Sequence, residues 1–129
     1  MSTLKVTNIQ ATGETASRAV SGVAAAWVNF NQATPAILDS FNTSSLTDTS
    51  MGKGDLNWTN AMGNTTYASS GTSSTASSGT YYSASIMDDT DANSRTASKW
   101  YFQQGYANAS AAAWADFVSS SVSIHGDLA

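Results

Sequence analysis

The segment 89–93, with the letters D-T-D-A-N, has the oxygen-bearing side chains and the spacing that begin a calcium-binding loop. Such a loop also needs a glycine at its sixth position for a sharp turn and a glutamate at its twelfth for two further ligands. This chain has Ser94 and Trp100 at those positions. The sequence therefore favours a solvated polar loop over residues 88–94, with weak calcium binding as the alternative. We expect folding to need no metal and no cofactor.

His125 is the only histidine, and its side chain is the natural general base near neutral pH. A catalytic triad would pair it with Asp116 or Asp127 and a serine, but the chain has no G-x-S-x-G elbow. A glycosidase would need two carboxylates at a set distance in space, which sequence spacing cannot identify. The carboxylates available for such a pair are Asp39, Asp48, Asp55 and Asp116. We predict no catalytic residue and expect the protein not to be an enzyme.

The aromatic side chains are the remaining groups for recognition, because their faces stack on sugars and anchor protein interfaces. Some of them belong to strand patterns that predict burial. These core aromatics are Trp58, Trp100 and Phe102. Others are predicted to take part in surface recognition. These tyrosines are Tyr67, Tyr81, Tyr82 and Tyr101.

Composition excludes several classes of function. The 129 residues suffice for one domain with a real core, and 41% of them are hydrophobic. The net charge is −4 and the five basic residues are scattered, so we expect no nucleic-acid binding, which needs clustered Lys and Arg. There is no cysteine and hence no disulfide.

No apolar run approaches the about 20 residues of a membrane-spanning helix, and residues 1–10 lack the apolar core of a signal peptide. We expect neither membrane insertion nor export by such a signal.

The clearest strand pattern runs from residue 54 to residue 62. Leu56, Trp58 and Met62 alternate with polar residues, and a period of two places them on one face of a strand. The polar set on the other face is Asp55, Asn57 and Thr59. The preceding G-K-G at residues 52–54 allows the positive φ of a tight hairpin turn.

Other segments have weaker strand patterns separated by turn residues. In residues 27–31, Val28 and Phe30 are predicted to face inward. In residues 36–46, Ile37 and Leu38 are adjacent, which predicts a bulged strand. Further strands are predicted at residues 2–9, 81–87, 99–106 and 115–125, the last with Val118, Val122 and Ile124 inward. Residues 15–22 fit helical turns or an irregular linker, and residues 63–79 fit a flexible linker or a Ser/Thr-rich strand pair.

These segments predict an all-β fold, a small antiparallel β-sandwich or open barrel with a short N-terminal strand and helical segment. Residues 1–22 are nearly uncharged and too short to bury much surface alone. We predict that they form an oligomerisation or attachment segment, and that residues 23–129 form the β-sandwich domain.

Three blocks of the chain also resemble a known family. They are WVNFN at residues 27–31, SFNTSSLTD at residues 40–48 and GDLNWTNAM at residues 54–62. They are similar to the C-terminal domain of tail-fibre and appendage structural proteins of tailed phages, particularly marine ones. Residues 1–10 and 121–129 resemble the first and last segments of such proteins. The chain departs from the family pattern at Lys53 and Trp58, where a shorter glycine turn and a Val or Phe are usual.

The resemblance implies a non-enzymatic virion protein, made in the host cytoplasm and assembled as a homotrimer with other virion proteins. A fibre or tail-tip subunit could also contact a glycan or protein of the host surface. One alternative is a head fibre or decoration protein of the capsid. A second is a carbohydrate-binding module, which predicts exposed aromatic residues in the segment 67–82.

Overall fold

Every regular element of the described part of the chain is a β-strand. The structure, a computed structural model, describes residues 6, 8–9, 18–19, 23–74, 83–89, 95–107 and 111–129. The strands are β1 (Asn8–Ile9), β2 (Arg18–Ala19), β3 (Ala24–Asn31), β4 (Ala36–Phe41), β5 (Thr43–Ser50), β6 (Lys53–Trp58), β7 (Ala68–Ser74), β8 (Ser83–Asp88), β9 (Lys99–Ala107), β10 (Ala112–Trp114) and β11 (Ser119–His125). The predicted all-β class is confirmed.

Two antiparallel sheets pack face to face as a small sandwich. The four-stranded sheet has the order β4-β3-β11-β7. In the five-stranded sheet the order is β10-β9-β6-β5, and β8 also pairs with β9. A separate two-stranded pair joins β1 to β2. Arg18 and Ala19 are thus in a strand, where the sequence favoured helical turns. Most of residues 1–22 lies outside the described residues, so the division at residue 22 stays a prediction.

The core lies between the two sheets and follows the alternation of the strands. Phe30 from the four-stranded sheet meets Phe102 from the five-stranded sheet with ring centroids 5.2 Å apart, and Trp100 lies 5.7 Å from Phe102. Burial of each such side chain stabilises the fold by about 1.5–3 kcal/mol. The predicted inward residues are buried: Val28, Phe30, Leu56, Trp58, Met62, Trp100, Phe102, Val122 and Ile124. Val118 is an exception, because it is exposed and precedes β11.

The strand predicted over residues 36–46 is two strands in different sheets. Its bulge is present, since Asn29 pairs with Asp39 and Phe30 with Ile37, which leaves Leu38 without a partner in the register. At Asn42, however, φ is +56° and the chain crosses to the five-stranded sheet. The Asn42 side chain fixes this corner by donating to the Ala25 carbonyl at 3.0 Å and accepting from the backbone N–H of Asn60 at 2.7 Å.

A two-residue turn at Met51 and Gly52 joins β5 to β6. Gly52 has φ of +70°, as the glycine pattern predicted. There is also no space for a side chain, since a Cβ would collide with the Gln104 carbonyl and lie 2.8 Å from the Ala115 nitrogen. The turn therefore packs against β9 and against the start of the connection after β10.

A chain of buried polar side chains crosses the interior. Gln104 donates to Gln32, which in turn donates to the Asp48 carboxylate at 3.0 Å. The side-chain oxygen of Gln104, Oε1, accepts from the Ser120 hydroxyl at 2.7 Å and from the Ser73 hydroxyl at 3.1 Å. Buried polar groups are tolerated only with such partners, so this network links β5, β7, β9 and β11 in one register.

The Ser-rich segment after residue 67 is a strand in its described part. Ala68–Ser74 pairs with β11 along its whole length, and Gly71 lies opposite Val122. A Cβ on Gly71 would come within 2.7 Å of Ile86 Cγ2 on the other sheet. Close approach of the two sheets thus explains a glycine in this strand, and residues 75–79 lie outside the described residues.

Candidate functional site

Tyr67, predicted from sequence for surface recognition, is instead a core residue. Its side chain is 2% exposed, and its ring packs edge-on against Trp58 with centroids 6.2 Å apart. The hydroxyl donates to the Lys99 carbonyl at 3.0 Å. Burial raises the pKa of Tyr67 to about 12, because the phenolate would lose its solvation, and the nearby charge of Arg95 opposes this only weakly. The surface role predicted for Tyr67 is therefore wrong.

Tyr101 lies on the outer face of the five-stranded sheet and is half-buried. The Lys99 ammonium lies 5.2 Å from its ring centroid and 3.2 Å from the Asp55 carboxylate. The hydrogen bond from Lys99 to Asp55 and their mutual attraction raise the pKa of Lys99. Part of the Tyr101 ring thus serves as a platform for a paired cation. Tyr81 and Tyr82 lie outside the described residues.

A groove of about 400 Å³ is open to solvent elsewhere on the same outer face. It runs over the end of β9, between β8 and β10. Its walls include Met87 and Trp114, whose side chains are 42% and 44% exposed. The floor of the groove is formed by small residues of β9 and β10. The floor residues include Gly105, Ala107 and Ala112.

Backbone pairing places Trp114 in this groove, and two glycines leave room for its side chain. β10 pairs with the end of β9, which sets Trp114 opposite Gly105. A Cβ on Gly105 would lie 3.0 Å from Trp114 Cε3, and a Cβ on Gly52 would lie 2.8 Å from Trp114 Cβ. A hydrogen bond also fixes the connection after β10, because the Asp116 carboxylate accepts from the Gly52 N–H at 2.6 Å.

Polar residues lie next to the groove on the same face, two residues before Gly105 on β9. Gln103 pairs with Met87 on one side and with Lys53 on the other. The Lys53 ammonium is 3.4 Å from the Asp89 carboxylate. The groove therefore has an aromatic wall, a nearly bare floor and a compensated pair of charges beside it.

Sequence reasoning included Trp114 among the aromatic residues that could bind a sugar or a protein, but it gave no binding role to Gly105 or Met87. Residues 108–113, just before Trp114, read as a small-residue connection. A weak signal was available, since a glycine within a strand pattern often marks a close approach of another group.

The residues weighed for catalysis each have a different structural environment. Asp39 accepts from the Ser40 N–H at 2.9 Å, Asp48 from Gln32 and Asp116 from Gly52. His125 is exposed, with a ring nitrogen 3.2 Å from the Ser123 hydroxyl.

Asp88 and Asp89, the described residues of the predicted polar loop 88–94, both form ion pairs. Arg95 donates to Asp88 at 2.7 Å and to Ser69 at 3.0 Å, which joins β7 to β8 beside a smaller pocket of about 230 Å³. Asp89 pairs with Lys53. No group of three or more metal-ligating side chains occurs in the part of the chain that the structure describes. Residues 90–94 lie outside it.

The outer face of the four-stranded sheet carries a second exposed aromatic cluster. Trp27 on β3 pairs directly with Phe41 on β4, and they are 39% and 51% exposed. The bulged Leu38 is 58% exposed on the same strand as Phe41. We call Trp27, Leu38 and Phe41 the β4 patch.

The chain matches no protein-family model. Neither the curated proteins nor the solved structures contain a match to it. Over the described residues, no helix has the length and apolar character needed to cross a membrane. What the protein does must therefore be argued from its surfaces.

Proposed function

We propose that this protein is a non-enzymatic structural subunit of a phage virion, a fibre or appendage component that associates with copies of itself and with other virion proteins. Support comes from the resemblance of residues 27–31, 40–48 and 54–62 to phage appendage domains. The composition agrees, since only 11% of the residues are charged, against about 25% in typical domains. A weakly charged polar surface suits dense packing of subunits.

The observation that carries this proposal is the β4 patch. Large aromatic residues dominate the binding energy of protein interfaces, and here two of them are paired and exposed, with an exposed bulged leucine on the same strand as Phe41. β4 is also the terminal strand of its sheet, with β3 as its one neighbour among the described strands. Burial of this patch against a second copy would remove apolar surface from water, which is the main driving force for association.

We expect a homotrimer, and native mass spectrometry at micromolar concentration tests this. Replacement of Phe41 by Ser should shift the protein to monomers, because it removes an anchor from the β4 patch. Replacement of Trp114 by Ser is the matched control, since it removes an equally exposed aromatic from the other sheet and should leave the oligomer intact.

A monomeric wild-type protein would contradict the proposal. An oligomer that survives Phe41→Ser would move the interface away from the β4 patch. Labelling of purified virions by an antibody to the protein would then distinguish a tail appendage from a head fibre or decoration protein.

A further inference from the structure

We propose that the groove on the five-stranded sheet binds one or two neutral sugar rings, with the indole of Trp114 as the stacking surface. This inference is independent of the association proposed above, because the groove and the β4 patch lie on different sheets. It also gives the predicted carbohydrate-binding alternative a new location, away from the tyrosines that the sequence suggested.

The apolar half of the groove fits the face of a pyranose. One face of a sugar ring presents C–H groups, which pack against the electron-rich face of an aromatic ring. Trp114 is exposed, the pairing of β10 places it in the groove, and the lack of a side chain at Gly105 leaves room for its indole. Met87 lines the groove on the opposite side, on β8. A flat ligand can therefore lie in the groove between these two side chains.

The size of the groove favours a small ligand over a protein. Its volume of about 400 Å³ falls within the roughly 300–1,000 Å³ of ligand-binding pockets. A stable interface with a second protein usually takes about 800 Å² from each partner. The groove residues alone are too few for that, whereas one or two sugar rings would fill the groove.

The charges beside the groove favour a neutral ligand. Lys53 is paired with Asp89, and Lys99 further along the face is paired with Asp55. Each pair has no net charge, so it offers a charged ligand little net attraction. Hydroxyl groups both donate and accept, so they can bond to a carboxylate and to an ammonium group at once. Ser85, which also lines the groove, adds a further hydroxyl.

The test is a titration of the full chain, monitored by NMR of the tryptophan indole N–H groups. The ligands are four neutral disaccharides, namely maltose, cellobiose, lactose and N,N′-diacetylchitobiose. At least one of them should shift the Trp114 signal and saturate in the millimolar range. Trp114→Ala lacks this reporter, so its binding is measured by calorimetry beside the wild type, and it should be about tenfold weaker or more, which is the effect of losing one stacking contact. Trp27→Ala, which removes an exposed tryptophan from the other sheet, should leave binding unchanged.

A second variant tests the position of the indole. Gly105→Ala places a methyl group 2.6 Å from the Ala113 carbonyl oxygen and 3.0 Å from Trp114 Cε3, so it should displace β10 with its indole and also weaken binding. Unchanged signals of Trp58 and Trp100 would show that the core is intact. Glucuronic acid should bind more weakly than the neutral probes. The proposal is wrong if none of the four disaccharides shifts the Trp114 signal, if binding persists in Trp114→Ala, or if Trp27→Ala weakens it equally. None of these outcomes bears on the oligomeric state, which tests the proposed association separately.

Discussion

The two outer faces of the sandwich each expose one tryptophan, in opposite surroundings. Trp27 stands on the four-stranded sheet, beside Phe41 and across from Ser123 of β11. Trp114 stands in a groove of the five-stranded sheet, against the bare backbone of Gly105. Their exposed fractions, 39% and 44%, are nearly the same. Exposure alone therefore does not distinguish them, and the neighbouring side chains determine what each can bind.

The polar residues of the two faces differ as well. Around Trp27 the exposed polar side chains of the sheet are mostly Ser, Thr and Asn, with one carboxylate at Asp39. Near Trp114 the face carries the ion pairs of Lys53 with Asp89 and of Lys99 with Asp55. A surface of mostly apolar and uncharged groups favours a protein partner, whereas a groove beside compensated charges favours a small hydroxylated ligand.

Both faces are built on the same buried core, so removal of a buried tryptophan should lower stability more than removal of either exposed one. Trp58→Ala should lower the free energy of unfolding by about 3–5 kcal/mol, because the cavity cannot refill. Trp27→Ala and Trp114→Ala should each cost about 1–2 kcal/mol, since both side chains are partly in water already. Urea denaturation of the three variants checks the order. Equal losses would show that the outer tryptophans are part of the core.

Gly52→Ala should cause a smaller loss of stability, with structural changes confined to the face that carries Trp114. An alanine at φ of +70° is strained, and its Cβ would collide with the backbone of Gln104 and approach Trp114. We expect a cost of about 2–4 kcal/mol, with a changed indole N–H signal for Trp114 and an unchanged one for Trp27. Gly63→Ala is the matched control, because a Cβ there has its nearest contact at 3.5 Å. If Gly52→Ala perturbs both tryptophans alike, the two faces are not independent.

The smallest of these effects concerns alkaline pH. The pKa of Tyr67 is about 12 in the folded protein and 10.0 as its ordinary value. The unfolded chain therefore loses this proton first as the pH rises, so the contribution of Tyr67 is complete below pH 10 and is lost towards pH 12. We expect the free energy of unfolding to fall by about 2 kcal/mol between pH 10 and pH 12. Lys99, whose pKa is also raised, adds a loss in the same direction.

Tyr67→Phe separates the two groups. This variant should retain only the part of the alkaline loss that belongs to Lys99, since phenylalanine does not titrate. Chemical denaturation at several pH values between 8 and 12 measures it. An unchanged pH dependence in Tyr67→Phe would mean that the phenol is not buried as described.

The fold was largely predictable where residues alternate strictly, as in β6, whose Leu56 and Trp58 both face inward. Prediction was wrong where tertiary contacts reverse the usual preference. Val118 looked like an inward residue and Ser120 did not, yet Ser120 is buried because Gln104 and Ser73 satisfy its hydroxyl. The corner at Asn42 depends on which sheet each half of the segment joins, and local sequence does not contain that information.

The groove could not be predicted, because it arises from neighbours on three strands. Gly105, Met87 and Trp114 belong to β9, β8 and β10, and only the register of these strands brings them together. Tyr67 was misassigned for a related reason. Its polar, low-complexity surroundings in sequence suggest a surface position, while the acceptor carbonyl of Lys99 that makes its burial tolerable lies 32 residues away.

Fluorine NMR of fluorotryptophan-labelled protein tests the account most directly, since the chain has 4 tryptophans and each reports on its own surroundings. Dilution should shift the Trp27 signal as the oligomer dissociates, and addition of a neutral disaccharide should shift the Trp114 signal. The signals of Trp58 and Trp100 should stay fixed in both experiments. A result in which one tryptophan responds to both treatments, or in which neither outer tryptophan responds, would contradict the assignment of separate binding functions to the two faces.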